Sequence, residues 1–219
     1  MREIISMHCG TRGGRRGWEL VHQVGFEHRC GKRNGDPSVH LEGGWEPREA
    51  IAETGRLRGV FVDLDTLTHD SISASRSRRA IDCSRDLLNS RNVANTTFAQ
   101  GYCYLDQEFV DEALERARVH VERCDAIQGF YVTHSLHGGA GAGLGSRIVE
   151  QLRDLYPSEM VQSFSCLPTL SAQQPYDCIL ALSHLRKSAH CSMLFNSEGQ
   201  DEGHSHRQTL HGGSGTGDG

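Results

Sequence analysis

Five glycines fall within the eight residues 138–145, in the stretch THSLHGGAGAGLGS that follows the apolar run 127–132. Glycine has no β-carbon, so a loop rich in it lets backbone amides come close to an anion and takes up positive φ without strain. Set between the carboxyl end of a strand and the amino end of a helix, such a loop adds unpaired N–H groups and the positive pole of the helix. The chemistry on offer is phosphate binding. Two plainer explanations compete with it, close packing of a helix on a sheet and a flexible connector.

Known phosphate motifs narrow the choice. A Walker loop needs GxxxxGK followed by Ser or Thr, and no Lys lies in or just after HGGAGAGLGSR. Gly141 and Gly143 give only GxGxxS, far from the first strand that a dinucleotide fingerprint would follow. A nicotinamide-dependent dehydrogenase is therefore poorly supported. Three other segments keep the loop company: the glycine-rich turn CGTRGGRRG, the acids Asp63 and Asp65 in FVDLD, and the polar turn VANTTFAQGY. If each follows a parallel strand, all four share one edge of the sheet around one crevice. Amides and small hydroxyls would hold phosphates there. Asp63 or Asp65 could hold a hydrated Mg²⁺, which needs only one or two carboxylates.

The elements needed to position these groups are legible as apolar β-prone runs separated by helical patterns, the signature of an α/β fold with a parallel, Rossmann-like sheet flanked by helices. Strands are expected over residues 3–8, 59–64, 127–133, 160–166 and 191–195. One helix is expected over 106–123, with Asp106 as its cap and Val110, Leu114, Ala117 and Val121 on its inner face. A second starts at Gly143 or Leu144, carries Ile148, Val149, Leu152 and Leu155, and stops at Pro157; a third runs from Pro175 through Ile179, Leu182 and Leu185. Residues 29–58 read as a long excursion between the first helix and the second strand. The organisation expected is one nucleotide-binding domain over 1–198 and a disordered polar tail over 199–219, whose GGSGTG cluster has neither a strand before it nor a helix after it.

Composition removes several function classes. Lys and Arg number 23 against 28 Asp and Glu, so the formal charge of -5 gives no bulk attraction for nucleic acid or an anionic membrane. The short basic patch of Arg76, Arg78 and Arg79 lacks interleaved aromatics and reads as a solvated face. Eight cysteines form no CxxC, and the 13 histidines form no pair joined by a further ligand at metal spacing, so no zinc framework is expected. No leader and no membrane span are expected, which places the thiols, reduced, in the cytosol or nucleus.

Taken in order, the motifs resemble the tubulin family over roughly residues 1–198. MREIISMHCG is similar to the tubulin amino terminus, with Thr11 where a glutamine normally stands. FVDLD resembles VDLEP, so Asp65 takes the place of the metal-proximal acid. VANTTFAQGY resembles AGNNWAxGY, with Thr97 at the asparagine and Phe98 at the tryptophan. HGGAGAGLGS resembles the signature GGTGSG, with Ala140 for Thr and Ala142 for Ser. The segments VERCDAIQGFYVTHSLHGGAGAGLGS and QPYDCILALSHLRKSAHCSMLF look most like delta-tubulin, the form linked to centrioles and cilia.

The resemblance implies a tubulin-type GTPase fold that binds GTP or GDP, with Mg²⁺ held through water by Asp65. It implies nucleotide contacts from Gly10, Thr11, Arg12, Asp65, Thr97, Ser135, Gly138, Gly139, Ala140, Gly141, Ala142 and Gly143, and it sets Ser197 near a base- or ribose-contacting asparagine. It implies tubulin-family or centriolar partners, a cytoplasmic, cytoskeletal location with the nucleus as an alternative, and no nucleic acid or membrane. The departures weaken the site: losing a hydrogen bond to a charged group costs ~1.5 to 3 kcal/mol, so Ala140 and Ala142 together could lower affinity more than a hundredfold. The family's water-activating acid comes from a second domain without counterpart here, so little or no turnover is expected of this chain alone and no catalytic residue is assigned. The alternatives are a non-catalytic interaction module with a degenerate nucleotide site, and a truncated product that does not fold stably.

Overall fold

A computed structural model of the chain describes residues 2–27, 57–74, 81–90, 97–168 and 174–196. Six parallel strands form one sheet: β1 (Arg2–Cys9), β2 (Gly59–Asp63), β3 (Leu87–Asn89), β4 (Ala126–Ser135), β5 (Met160–Leu167) and β6 (Cys191–Asn196). Their order across the sheet is β3-β2-β1-β4-β5-β6. The chain winds outward in one direction from β1 to β3, then returns past β1 and winds the other way. The order therefore reverses between β1 and β4, the place where an open parallel sheet leaves a crevice at its carboxyl edge.

The helices are α1 (Gly10–Glu27), α2 (Thr66–Ala74), α3 (Cys83–Asp86), α4 (Phe98–Cys103), α5 (Gln107–Val121), α6 (Gly145–Leu155) and α7 (Gln174–Ser188), with a π-helical turn, Gly138–Leu144, leading into α6. The two faces of the sheet differ in chemistry. One carries Ile5, Met7 and Cys9, fully buried in a core shared with Val110, Ala113 and Ala117 of α5 and Ile148, Val149 and Leu152 of α6. The other carries Ser6, His8 and Thr133 beneath α1. There Thr133 Oγ1 lies 2.6 Å from His8 Nδ1 and donates to Gly13 O at 3.2 Å. Helices on both faces explain why every residue of β2 is buried.

The five expected strands are present, each within two residues of its expected bounds. The differences lie elsewhere. CGTRGGRRG is not a turn beyond Cys9 but the beginning of α1, and its glycines let the helix press onto the sheet. A β-carbon on Gly13 would stand 2.5 Å from Thr133 O, and one on Gly17 would stand 2.1 Å from His8 Nδ1. Close packing thus overrides glycine's poor helix propensity, a handicap of ~1 kcal/mol per residue. The end of VANTTFAQGY, from Phe98, belongs to α4, and Leu87–Asn89 adds a strand, β3, too short to show a period. Asp106 stands at the cap of α5 but makes no side-chain capping bond, and Leu155 and Ile179 point outward rather than into the core. Leu57 and Arg58, read as the end of the excursion, are buried, with Arg58 Nη2 donating to Glu3 Oε1 at 2.6 Å. Residues 29–56, the Arg76, Arg78 and Arg79 patch, Ser197 and the tail 199–219 lie outside the described residues.

Candidate functional site

Two glycines with positive φ frame the reversal of strand order: Gly10, at +73°, ends β1, and Gly138, at +75°, opens the π-helical turn after β4. The corners touch. A β-carbon on Gly10 would meet Gly141 N at 2.9 Å and both Ala140 C and Ala140 Cβ at 3.2 Å. The register Cys9↔His134 holds the two strand ends level, so the two bends sit side by side. α4 closes the third side, because a β-carbon on Gly101 would lie 1.8 Å from Gly139 O and one on Gly143 would lie 2.4 Å from Phe98 O.

Hydrogen bonds fix the turn from beneath. His134 is fully buried, and its Nδ1 faces two carbonyls, Gly141 O at 3.0 Å and Ser135 O at 3.2 Å. That nitrogen therefore carries the proton, while Nε2 accepts from one of the hydroxyls of Ser163 and Ser165, which lie 3.0 Å from it and share a hydrogen bond of 2.6 Å with one another. Burial lowers the His134 pKa to about 4, so the imidazole is neutral at ordinary pH. Ser135 Oγ donates to His137 O at 3.0 Å. From α7, Asp177 accepts from Gly138 N with Oδ2 at 3.1 Å and from Phe98 N with Oδ1 at 2.9 Å.

The acids after β2 divide their roles. Asp63 is buried and accepts from the hydroxyls of Thr68 at 2.6 Å and Thr11 at 3.1 Å, and from Leu64 N at 2.8 Å and Asp65 N at 3.3 Å. Burial raises its pKa, and these bonds pull against that rise. Asp63 is thus spent on tying α1 and α2 to the strand end, whereas the Asp65 side chain is exposed. Among the described residues no group of three or more His, Cys, Asp or Glu could hold a metal ion. One exposed carboxylate still fits a Mg²⁺ that takes its other oxygens from water and phosphate.

Of the residues singled out in the sequence, Gly10, Gly138, Gly139, Ala140, Gly141, Ala142 and Gly143 are brought together, with Ser135 against Gly141. Thr97 joins them through α4, where it forms a capping box with Gln100 and its N–H donates to Gln100 Oε1 at 3.2 Å. Thr11 lies on the neighbouring bend and is turned towards Asp63. Arg12 is half-buried, and its charge helps hold the His137 pKa down, after burial, while Asp177 acts in the opposite sense. Sequence reasoning missed His134 and Asp177. An acid in the first turn of a helix was the one available sign of Asp177, and nothing in the sequence marked His134 beyond its place beside the glycines.

A family model described as Tubulin/FtsZ family, GTPase domain, matches residues 3–199. Human tubulin beta-1 chain is 29% identical over 206 residues, covering 90% of this chain and 46% of that protein. Tubulin beta-6 chain of Ectocarpus variabilis is 29% identical over 205 residues, with the same shares of 90% and 46%. The chain therefore spans about half the length of the curated relatives it matches.

Proposed function

The chain belongs to the Tubulin/FtsZ family through its GTPase domain, and from that premise we propose that it binds GTP or GDP in the crevice between β1 and β4. Amides of the bend at Gly10 and of the turn 138–144 hold the phosphates, with Thr11, Arg12, Thr97 and Ser135 around them and Asp65 holding Mg²⁺ through water. The observation that carries the proposal is that the positive-φ corner at Gly10 packs against Ala140 and Gly141 of the turn opened by positive-φ Gly138, at the point where strand order reverses. The role is structural, in microtubule, centriole or cilium organisation, with tubulin-family or centriolar partners and a cytoplasmic, cytoskeletal location. A delta-tubulin-like subtype is part of the same reading, supported by the segments quoted for it. Turnover by this chain alone is little or none.

Purified protein assayed for bound guanine nucleotide, then titrated with labelled GTP with and without Mg²⁺, tests this. Retained nucleotide and a dissociation constant well below millimolar are expected. Millimolar binding by a cooperatively melting protein overturns the reading in favour of an interaction module with a degenerate site. That second reading draws on the internal use of polar groups: Ser135, Thr97 and Thr11 all bond within the protein, and Ala140 and Ala142 offer no hydroxyl. Gly141 is a poor position for separating the two readings, since a β-carbon there would lie 1.9 Å from Ser135 Oγ and disturb the fold itself.

A further inference from the structure

We infer that Asp177 is a positioning residue, whose carboxylate clamps the glycine turn to the start of α4 and so orients the remaining amides of the turn towards a ligand. The functional arm of this inference rests on the nucleotide reading, while the clamp does not. Gly138 is the positive-φ residue that opens the turn, and Phe98 is the first residue of α4. One carboxylate takes an N–H from each, with a separate oxygen for each bond. Elsewhere α4 and the turn meet through glycine backbone, at Gly101 against Gly139 and Gly143 against Phe98. Such contacts set how near the two segments come but not how they are rotated about one another. Two directed hydrogen bonds supply that rotation.

The chemistry suits a carboxylate and no other side chain of that length. Asp177 is 8% exposed, so its bonds are shielded from water, and it lies in the first turn of α7, where the helix dipole favours an anion. Bonds to an ionised acceptor are about twice as strong as neutral ones. An asparagine keeps one acceptor oxygen and turns an NH₂ group towards the other amide, so it can satisfy one segment only.

Asp177→Asn and Asp177→Ala in the full chain test the clamp. Backbone amide spectra and hydrogen exchange on nucleotide-free protein are expected to show the Gly138 or Phe98 amide proton moving upfield in the Asn variant. Exchange rises at least about tenfold over 98–103 and 138–144, while β1 and β4 stay protected. Affinity for labelled GDP falls about tenfold in the Asn variant and further in the Ala variant. Unchanged amide shifts and exchange in a folded Asn variant overturn the clamp. GDP affinity within about twofold of the parent despite a loosened turn overturns its positioning role. If the parent binds no guanine nucleotide, the nucleotide reading fails and the exchange result alone decides the clamp. If the Ala variant does not fold, the Asn variant decides.

Discussion

The junction of β1 and β4 and the outer edge formed by α7 and β6 are built on opposite plans. At the junction, backbone meets backbone through glycines, and Gly10, Gly139, Gly141, Ala142 and Gly143 are buried. At the outer edge, Met193, Leu194 and Phe195 of β6 and Tyr176, Ile179 and Leu180 of α7 are all exposed, Ile179 by 65%. The same sheet thus has a centre where a β-carbon on Gly10, Gly101, Gly141 or Gly143 would collide with neighbouring atoms and a rim where large apolar side chains stay exposed. The contrast teaches where the fold is over-determined. At the junction, shape is set by what is missing from the side chains; at the rim, side chains are present but set no shape.

The sharpest way to break this contrast is to add one methyl group at the centre. Gly101→Ala gains ~1 kcal/mol in helix propensity, yet places its β-carbon 1.8 Å from Gly139 O. The collision is with backbone, so a net loss of at least ~3 kcal/mol is expected, read as a large fall in melting temperature by circular dichroism. An unchanged melt would mean that the junction has slack and that the glycines are there for another reason.

Acid probes the same centre through its imidazoles. Burial lowers the pKa of His8 to about 3 and of His134 to about 4, against an ordinary 6.5. The unfolded chain therefore binds more protons below pH 6.5. Stability is full above that value and falls as pH drops towards the folded pKa values, by roughly 2 kcal/mol for each imidazole on reaching pH 5. Asp63 opposes the trend, because its raised pKa makes the folded protein take up a proton earlier. A denaturant titration at several pH values checks the slope, and His134→Asn should flatten it. The smallest effect belongs to the rim: Ile179→Ser should change stability by no more than ~0.5 kcal/mol, or 1–2 °C in melting temperature. A larger drop in the isolated chain would erase the contrast.

Legibility followed the same division. β1, β2 and β4 were readable because strands buried on both faces read as apolar runs, and α5 because Val110, Leu114, Ala117 and Val121 repeat at helical spacing. The start of α1 was hidden, since Gly13, Gly14 and Gly17 look like a turn unless the sheet beneath them is known. The glycine turn was legible as an anion site by composition. Its supports were not: His134 grips the turn from 7 residues away but is held by hydroxyls 29 and 31 residues on, Asp177 reaches across 39 and 79 residues, and no local pattern encodes partners that distant. Asp63 and Asp65 looked equivalent in FVDLD and differ only because the chain buries one and exposes the other.

The central place of β1 has a kinetic consequence. His8 meets its β4 partner Thr133 across a separation of 125 residues, while its other neighbour, β2, is made much sooner. At ~5 to 20 residues per second of synthesis, β1 waits roughly 6 to 25 s on the ribosome with one edge unpaired. Closure of this sheet during synthesis can thus go no faster than translation, and β1, though made before β2, gains its second neighbour only after β3 has enclosed β2.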